Sequence, residues 1–291
     1  MPIFYGKILN MKGKLLLITT LLLGLPALLI FYAFRVEPNW LQEKHIEARN
    51  SKIPASFSGT KIVFLTDIHY GDYFGRDRTA RLVERVNKLK PDLILLGGDY
   101  VTFTYLPKWD MSGPSNVSAC FEELGKLRAP LGVFGVLGNH DYYPYADLKK
   151  RSIAAAGITL LDNKGAWIVK GKERIRIGGV GDLWRGTQYL EQTLKGTTSS
   201  DFVILLSHNP DYIEEIKPGL IDLMLSGHTH GGQISLFGLW APKLPSAYEQ
   251  KYRSGVIREG NTTLIISNGI GVTFPPARLF TPPQIVVVTL K

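Results

Sequence analysis

Five short apolar runs recur through this sequence, and each is followed at once by residues that bind metal ions. Each run is four to six residues long and rich in branched side chains, which predicts strands buried on both faces. The runs are IVFL at 62–65, LILL at 93–96, GVFGVL at 132–137, FVILL at 202–206 and IDLML at 221–225. The amphipathic segment from Arg78 to Lys90, with Asp77 as its expected N-cap, predicts a helix between the first two. Strand, helix and strand at this spacing predict a layered α/β domain.

The residues that follow these runs have the side chains of metal ligands. In chain order they are Thr66-Asp67-Ile68-His69, Gly97-Gly98-Asp99, Gly138-Asn139-His140-Asp141, Ser207-His208 and Ser226-Gly227-His228-Thr229-His230. A single histidine after a strand is more often an ordinary turn residue. Five such endings in one chain, which take in five of the six histidines, make coincidence a poor explanation. Because ligands bind at the carboxyl ends of strands in α/β sheets, we expect these side chains to converge.

The chemistry of the set favours a binuclear metal centre. Carboxylate, amide and imidazole groups suit hard and borderline divalent ions. Cys120 is the single cysteine, which excludes a disulfide within the chain and a zinc site built from cysteines. Two metal ions about 3.5–4 Å apart need a bridging carboxylate between them. The glycines beside Asp99, Asn139 and His228 allow the sharp turns that such a centre requires.

The series DxH, GD, GNHD, H and GHTH resembles the calcineurin-like metallophosphoesterase superfamily over about residues 60–290. Three further stretches look like the bacterial membrane-attached branch of YaeI/YkuE-like phosphodiesterases: GHTHGGQ at 227–233, KYRSG at 251–255 and the final NGIG…PPARLFTPPQIVVVTL. That branch also includes a lipid A pathway enzyme that splits UDP-diacylglucosamine. The resemblance implies a four-layer α/β/β/α sandwich over residues 59–291.

The resemblance also implies a role for each residue of the set. It implies two divalent ions, with Mn expected and Fe, Zn, Mg or Co as alternatives. One ion would be held by Asp67, His69 and His230, the other by Asn139, His208 and His228, with Asp99 as the bridge. His140 matches the position near the leaving group, as general acid or transition-state stabiliser, and Asp141 would orient it. The implied reaction is direct hydrolysis of a phosphodiester or pyrophosphate bond, with in-line attack by a metal-bridging hydroxide.

The twenty residues from Leu15 to Phe34 carry no charge, and as a helix they would cover about 30 Å. A cleaved secretory signal usually has a shorter apolar core of about 7–15 residues, so the segment favours an uncleaved anchor. We expect residues 1–34 to form this anchor with its flank, 35–58 a linker and 59–291 the metallophosphoesterase domain. Lys7, Lys12 and Lys14 precede the segment and Arg35 alone directly follows it, which favours an N-terminus inside the cell and a catalytic domain outside the cytoplasm. Over a longer window, Arg35, Lys44 and Arg49 even the count and leave the opposite orientation open.

Two features near the expected cleft bear on the substrate. Arg278, in a proline-rich stretch, is a candidate contact for a substrate phosphate, with a surface ion pair as the alternative. Phe237 and Trp240 belong to the apolar segment ISLFGLWAPKLP. Core packing is its default interpretation, and an acyl-chain slot or a lip that dips into the membrane is the sharper one. The stretch Phe103 to Trp109 is a candidate cap for the same cleft.

A third feature is the sequence GGVGDLWRG, which contains Asp182 and Trp184. Its glycine-rich turn follows a predicted strand and could line the pocket. A plain turn is the more economical interpretation.

The leading hypothesis is a membrane-anchored phosphodiesterase or pyrophosphatase. Its partners would be membrane lipids and a phosphate ester, including a lipid-linked one such as UDP-2,3-diacylglucosamine. The net charge is +9, of which three charges precede the apolar segment, and the remaining six fit an anionic substrate without identifying it. A nuclease or cyclic-nucleotide phosphodiesterase is the alternative, because the basic charge permits it. The complete ligand set disfavours a non-enzymatic scaffold.

Overall fold

The computed structural model describes residues 2–102 and 113–291, which form two six-stranded sheets packed face to face. In spatial order, the first sheet contains β1 (Gln42–Ala48), β12 (Gln284–Leu290), β2 (Lys61–Leu65), β3 (Leu93–Leu96), β4 (Val133–Gly135) and β5 (Thr159–Leu160). The second contains β10 (Gly255–Glu259), β11 (Thr262–Ile266), β9 (Leu223–Ser226), β8 (Val203–Leu206), β7 (Glu173–Gly179) and β6 (Lys164–Lys170). The α-helices are α1 (Pro2–Phe31), α2 (Arg76–Lys88), α3 (Pro114–Leu124), α4 (Ala146–Ala155) and α5 (Leu190–Thr193).

All five apolar runs form strands, as their composition predicted. Strands β2, β3 and β4 run parallel in the first sheet, and β8 and β9 run parallel in the second. Helix α2 begins two residues earlier than expected, with Gly75 as its N-cap and Asp77 in its first turn. Because the parallel strands of each sheet end at one edge, the loops that carry the predicted ligands meet there.

The two faces of each sheet are both apolar, and this produces three hydrophobic layers. In β2, Ile62 and Phe64 pack between the sheets, whereas Val63 and Leu65 pack under α2, α3 and α4. The outer face of the second sheet is covered by α5 and short helical turns such as Pro210–Glu215. The two-sheet α/β sandwich is therefore confirmed, with an outer layer over the second sheet that is thinner than a layer of long helices.

Residues 35–58 are ordered parts of the domain and not a linker. Strand β1 pairs with β12 along its whole length at the edge of the first sheet. Its sequence, QEKHIEA, is mostly polar because an edge strand is exposed, and charged residues there discourage pairing with other chains. The sequence pattern of buried strands therefore did not reveal it.

Helix α1 is the candidate membrane span. The stretch Gly13–Asn39 is long and apolar enough to cross a bilayer, and its most apolar window is not buried against the rest of the protein. The carboxyl end of this stretch is docked on the domain. The Ala33 carbonyl accepts a hydrogen bond from Arg278 N at 2.9 Å, and the buried Glu37 carboxylate accepts from Phe280 N and Thr281 N.

Candidate metal centre

The carboxyl ends of strands from both sheets bring all seven predicted metal ligands to one place. One group consists of Asp67, His69 and His230, whose ligand atoms all lie within 4.8 Å of one another. His69 Nε2 is 3.1 Å from His230 Nε2, and His230 Nε2 is 3.3 Å from Asp67 Oδ1. These atoms face one another as donor atoms around an ion do.

A second group lies beside the first. His208 Nε2 is 3.2 Å from His228 Nδ1 and 3.3 Å from Asp99 Oδ2. The Oδ1 atom of Asn139 is buried and has no hydrogen-bond partner among the described residues. An amide oxygen in that state fits a metal ligand, because a buried acceptor without a partner is costly.

Asp99 lies between the two groups. Its Oδ2 is 3.3 Å from His208 Nε2 and 3.6 Å from His69 Nε2, so a single carboxylate faces an imidazole of each group. Its Oδ1 accepts a hydrogen bond from the His140 amide at 2.9 Å, which fixes the orientation of the carboxylate. This is the geometry that a bridging ligand requires.

Five of the seven predicted ligands have a left-handed backbone, which is rare outside glycine. Their φ angles are 54° for Asp67, 48° for His69, 55° for Asp99, 66° for His228 and 52° for His230. Backbone strain of this kind clusters at functional sites, where the surrounding structure maintains it.

Two neighbouring glycines are required for space. A Cβ on Gly98 would lie 2.3 Å from the Gly138 amide, and one on Gly227 would lie 2.1 Å from Asp67 Oδ2. Any side chain at either position would push the ligand loops apart. The glycines of the GD and GHTH motifs therefore allow the loops to approach closely.

Three of the four imidazoles in the predicted ligand set are held in the neutral form that binds metals, and His208 is the exception. Burial lowers the pKa of His69 to about 3 and lowers those of His228 and His230 well below their usual value, so these rings are neutral. Burial alone would lower the pKa of His208, but the Asp99 carboxylate raises it well above the usual value. His208 Nδ1 lies 2.7 Å from the Gly97 carbonyl, which directs Nε2 into the centre.

His140 borders the centre on the side of the cleft. Its ring is perpendicular to that of His69, with ring centroids 4.9 Å apart. The carbonyl of His140 accepts from the buried Lys149 Nζ at 2.8 Å, so the backbone of this loop is held in place.

Asp141 was predicted to orient His140, and its carboxylate instead binds backbone amides. It is fully buried, and its carboxylate accepts from the amides of Asp99 at 2.7 Å, Gly138 at 2.9 Å and Tyr100 at 3.1 Å. These bonds join the Asp99 loop to the Asn139 loop. Asp141 is therefore a positioning residue that acts on the backbone.

The centre opens into a cleft of about 720 Å³. His140, His228 and His230 line it, together with Trp184, which the sequence offered as a pocket residue in the alternative interpretation, and with Gln233, Lys243 and Phe274, which it did not. The Trp184 ring stands edge-on to His228 at a centroid distance of 4.3 Å. The Asp182 carboxylate accepts from Trp184 N at 2.9 Å, which holds the loop. The plain-turn interpretation of GGVGDLWRG was therefore wrong for Trp184. The sequence did contain a signal for its position, because this loop follows β7, which pairs in parallel with β8, the strand that ends at His208.

Arg278 does not contact the cleft, which corrects its prediction as a phosphate contact. Its side chain is fully buried and donates to the carbonyls of Asn268, Gly271 and Thr281 at 2.6–3.1 Å. Burial lowers its pKa to about 10. The guanidinium N–H groups of Arg278 are bound to these backbone carbonyls, so they do not reach a substrate.

Phe237 and Trp240 are exposed, so the core-packing interpretation of their segment was wrong. They lie outside the residues that line the cleft. The candidate cap Phe103 to Trp109 lies outside the described residues.

Comparisons with known proteins agree with this arrangement. Residues 60–232 match the family model of the calcineurin-like phosphoesterases. The chain is 33% identical to the metallophosphoesterase YkuE of Bacillus subtilis, over 89% of each chain. It is 32% identical to the phosphodiesterase YaeI of Escherichia coli, over 89% of this chain and 92% of YaeI. It is also 31% identical to a zebrafish (Danio rerio) transmembrane protein with a metallophosphoesterase domain, over 84% of this chain and 56% of that protein.

Proposed function

Because this chain belongs to the calcineurin-like phosphoesterase family and is a metal-dependent phosphoester hydrolase, we propose that it is a membrane-anchored phosphodiesterase whose centre holds two divalent ions. Asp67, His69 and His230 would hold one ion, and Asn139, His208 and His228 would hold the other. Asp99 would bridge them. The observation that carries this proposal is the position of Asp99 Oδ2 between His69 and His208.

Residues around the centre have separate roles in phosphodiester hydrolysis. Two bound divalent ions supply Lewis-acid activation of the nucleophilic water and neutralise charge on the phosphoryl group. His140, at the edge of the cleft, donates a proton to the leaving oxygen. Lys243 attracts the phosphate to the cleft, and the exposed face of Trp184 packs against the group attached to it.

The apolar helix supports a membrane location. We assign α1 as a single-pass anchor in the cell membrane, with the catalytic domain, which includes residues 35–58, outside the cytoplasm. The lysines at positions 7, 12 and 14 support this orientation. A substrate that carries its phosphodiester or pyrophosphate on a lipid fits an enzyme fixed at a membrane. The cleft supports this class better than a nucleic acid, because Lys243 is the one lysine or arginine among its described lining residues.

The test is the Asp99→Asn variant of the full chain, compared with wild type and with Glu84→Gln. Glu84 lies on the exposed face of α2 in a surface ion pair with Lys88, so its variant is a matched loss of one carboxylate. We expect wild type and Glu84→Gln to hold two metal ions per chain by elemental analysis and to hydrolyse bis(p-nitrophenyl) phosphate. Asp99→Asn should lose at least one ion and about a thousandfold in turnover, because the bridge holds both ions. Full activity and two ions in Asp99→Asn would refute the assignment.

A further inference from the structure

Four large apolar side chains project into solvent from one tight hairpin. They are Leu236, Phe237, Leu239 and Trp240, which we call the lip, and their exposed fractions are 57%, 71%, 80% and 51%. Leu236 N donates to the Trp240 carbonyl, which closes the hairpin. The surface of a soluble protein rarely exposes this much apolar area in one place, so the lip indicates a binding surface for an apolar partner.

The lip is attached to the same segment that receives the anchor. Ser235 N donates to the Leu279 carbonyl at 2.9 Å, and the rings of Phe237 and Phe280 lie 5.3 Å apart. On the other side of this segment, Phe280 N donates to Glu37 at 2.8 Å and Arg278 N donates to Ala33 O. The end of α1 and the lip are therefore neighbours.

The residues that join the apolar helix to the first sheet are held against the domain by buried contacts and hydrogen bonds. Glu37 is only 1% exposed, and the next carbonyl, that of Pro38, accepts from Arg78 at 2.6 Å. Residues 42–48 then enter the first sheet as β1. The residues that follow α1 are therefore fixed to the domain, against the same segment whose Phe280 ring contacts Phe237 of the lip.

The apolar surface continues from the lip to the mouth of the cleft. Gln233, just before the lip, accepts from Thr273 N at 2.6 Å and donates to the Pro275 carbonyl at 3.0 Å. These bonds hold Phe274 at the cleft, where its side chain is 89% exposed. An exposed apolar side chain therefore stands at the cleft and is tied through Thr273 and Pro275 to Gln233, three residues before the lip.

We infer that the lip lies in the interface of the same bilayer that α1 enters, so that the cleft takes its phosphodiester from a lipid whose chains remain in the membrane. This inference rests on the proposed function for its substrate, but the position of the lip can be measured without catalysis. Trp240 at the lip and Trp40 beside the end of α1 are both exposed, as is typical of aromatic side chains at a membrane interface.

The first experiment measures the environment of the lip in the full chain, reconstituted in phosphatidylcholine nanodiscs. Leu239→Cys and the control Val169→Cys each carry an environment-sensitive nitrobenzoxadiazole label. Val169 is also apolar and is 59% exposed on the edge strand β6, and the native Cys120 is fully buried. We expect a shift of emission to shorter wavelength and quenching by spin-labelled lipid at position 239 only. Equal, water-like emission at both positions would overturn the inference.

The second experiment compares two substrates that share one reacting group. Ethyl p-nitrophenyl phosphate is soluble, whereas hexadecyl p-nitrophenyl phosphate inserts into the nanodisc. Leu239→Glu places a carboxylate in the lip, and we expect it to lower kcat/KM for the hexadecyl ester about tenfold with little change for the ethyl ester. Val169→Glu should change neither. An equal effect of Leu239→Glu on both esters would also overturn the inference.

The two proposals fail in different ways. Failure of wild type to hydrolyse the ethyl ester with bound metal would refute the proposed function, and the fluorescence at position 239 would still report whether the lip contacts lipid. Normal hydrolysis of the ethyl ester with a water-exposed label at position 239 would refute the lip alone.

Discussion

At the scale of single residues, the centre depends on a backbone that most side chains avoid. Asp67, His69, Asp99, His228 and His230 all have positive φ. Their side chains are buried, and their loops are packed against glycines that leave no room for a Cβ. The ligand atoms are thus placed by the fold before an ion arrives, which reduces the cost of ordering them on binding.

His140 is expected to serve the reaction without holding an ion. We predict that His140→Ala keeps both metal ions and lowers turnover of bis(p-nitrophenyl) phosphate by about 10²–10⁴-fold, because a positioned proton donor is lost. Elemental analysis and steady-state kinetics check this. Tyr143→Ala is the control, since Tyr143 is an exposed residue of the same loop. Loss of metal from His140→Ala would instead identify the imidazole as a ligand.

The proposed ligands could be picked out from the sequence because each follows an apolar run within a few residues. The role of Arg278 and the contact between Trp184 and His228 could not be inferred in this way. Arg278 donates to carbonyls up to ten residues away, and Trp184 contacts a histidine in a different loop. Contacts of this kind depend on how the chain folds back on itself, which no local pattern encodes.

At the scale of elements, buried strands were predictable and the exposed one was not. Strands β2, β3, β8 and β9 are covered on both faces, so their sequences are continuous apolar runs. Strand β1 lies at a sheet edge and has a polar sequence, so nothing in its pattern separated it from a linker. The sequence did not predict that the residues after α1 dock on the domain. Their main side-chain contact is one buried carboxylate, that of Glu37, and a lone charged residue gives no recognisable pattern.

Glu37 is expected to hold the anchor to the domain. We predict that Glu37→Ala lowers the apparent melting temperature by about 5–10 °C, because two amides lose a charged acceptor, a loss of about 3 kcal/mol. Circular dichroism of the protein in detergent measures this. Glu47→Ala is the control, since the side chain of Glu47, on β1, forms an exposed ion pair with Arg49. An equal effect of the two substitutions would argue against a docked junction.

At the scale of the whole molecule, the centre joins the two sheets. Asp67, His69, Asp99 and Asn139 follow strands of the first sheet, whereas His208, His228 and His230 follow strands of the second. An ion held by ligands from both sheets resists their separation. Metal binding should therefore contribute directly to the stability of the domain.

Removal of metal is expected to destabilise the protein as a whole. A ligand at about a hundred times its Kd stabilises the folded state by about 2.7 kcal/mol per site, so a chelator should lower the melting temperature of wild type by about 10 °C or more. Differential scanning calorimetry with and without the chelator measures the shift. Asp99→Asn should show a smaller shift, and an equal one would mean that the ions bind elsewhere.

The order of strands in the first sheet has a consequence for how the protein is made. Strand β12 lies between β1 and β2 in the sheet. Strands β1 and β2 leave the ribosome early, but the strand that joins them is synthesised only after the other eleven strands of the two sheets. Until then β1 has no partner in the sheet, although the apolar helix before it has already emerged. The loop that packs against Asp67 and the segment that receives Glu37 both come shortly before β12. Closure of this sheet, docking of the residues that follow α1 and completion of the centre therefore fall together, once β12 has been synthesised.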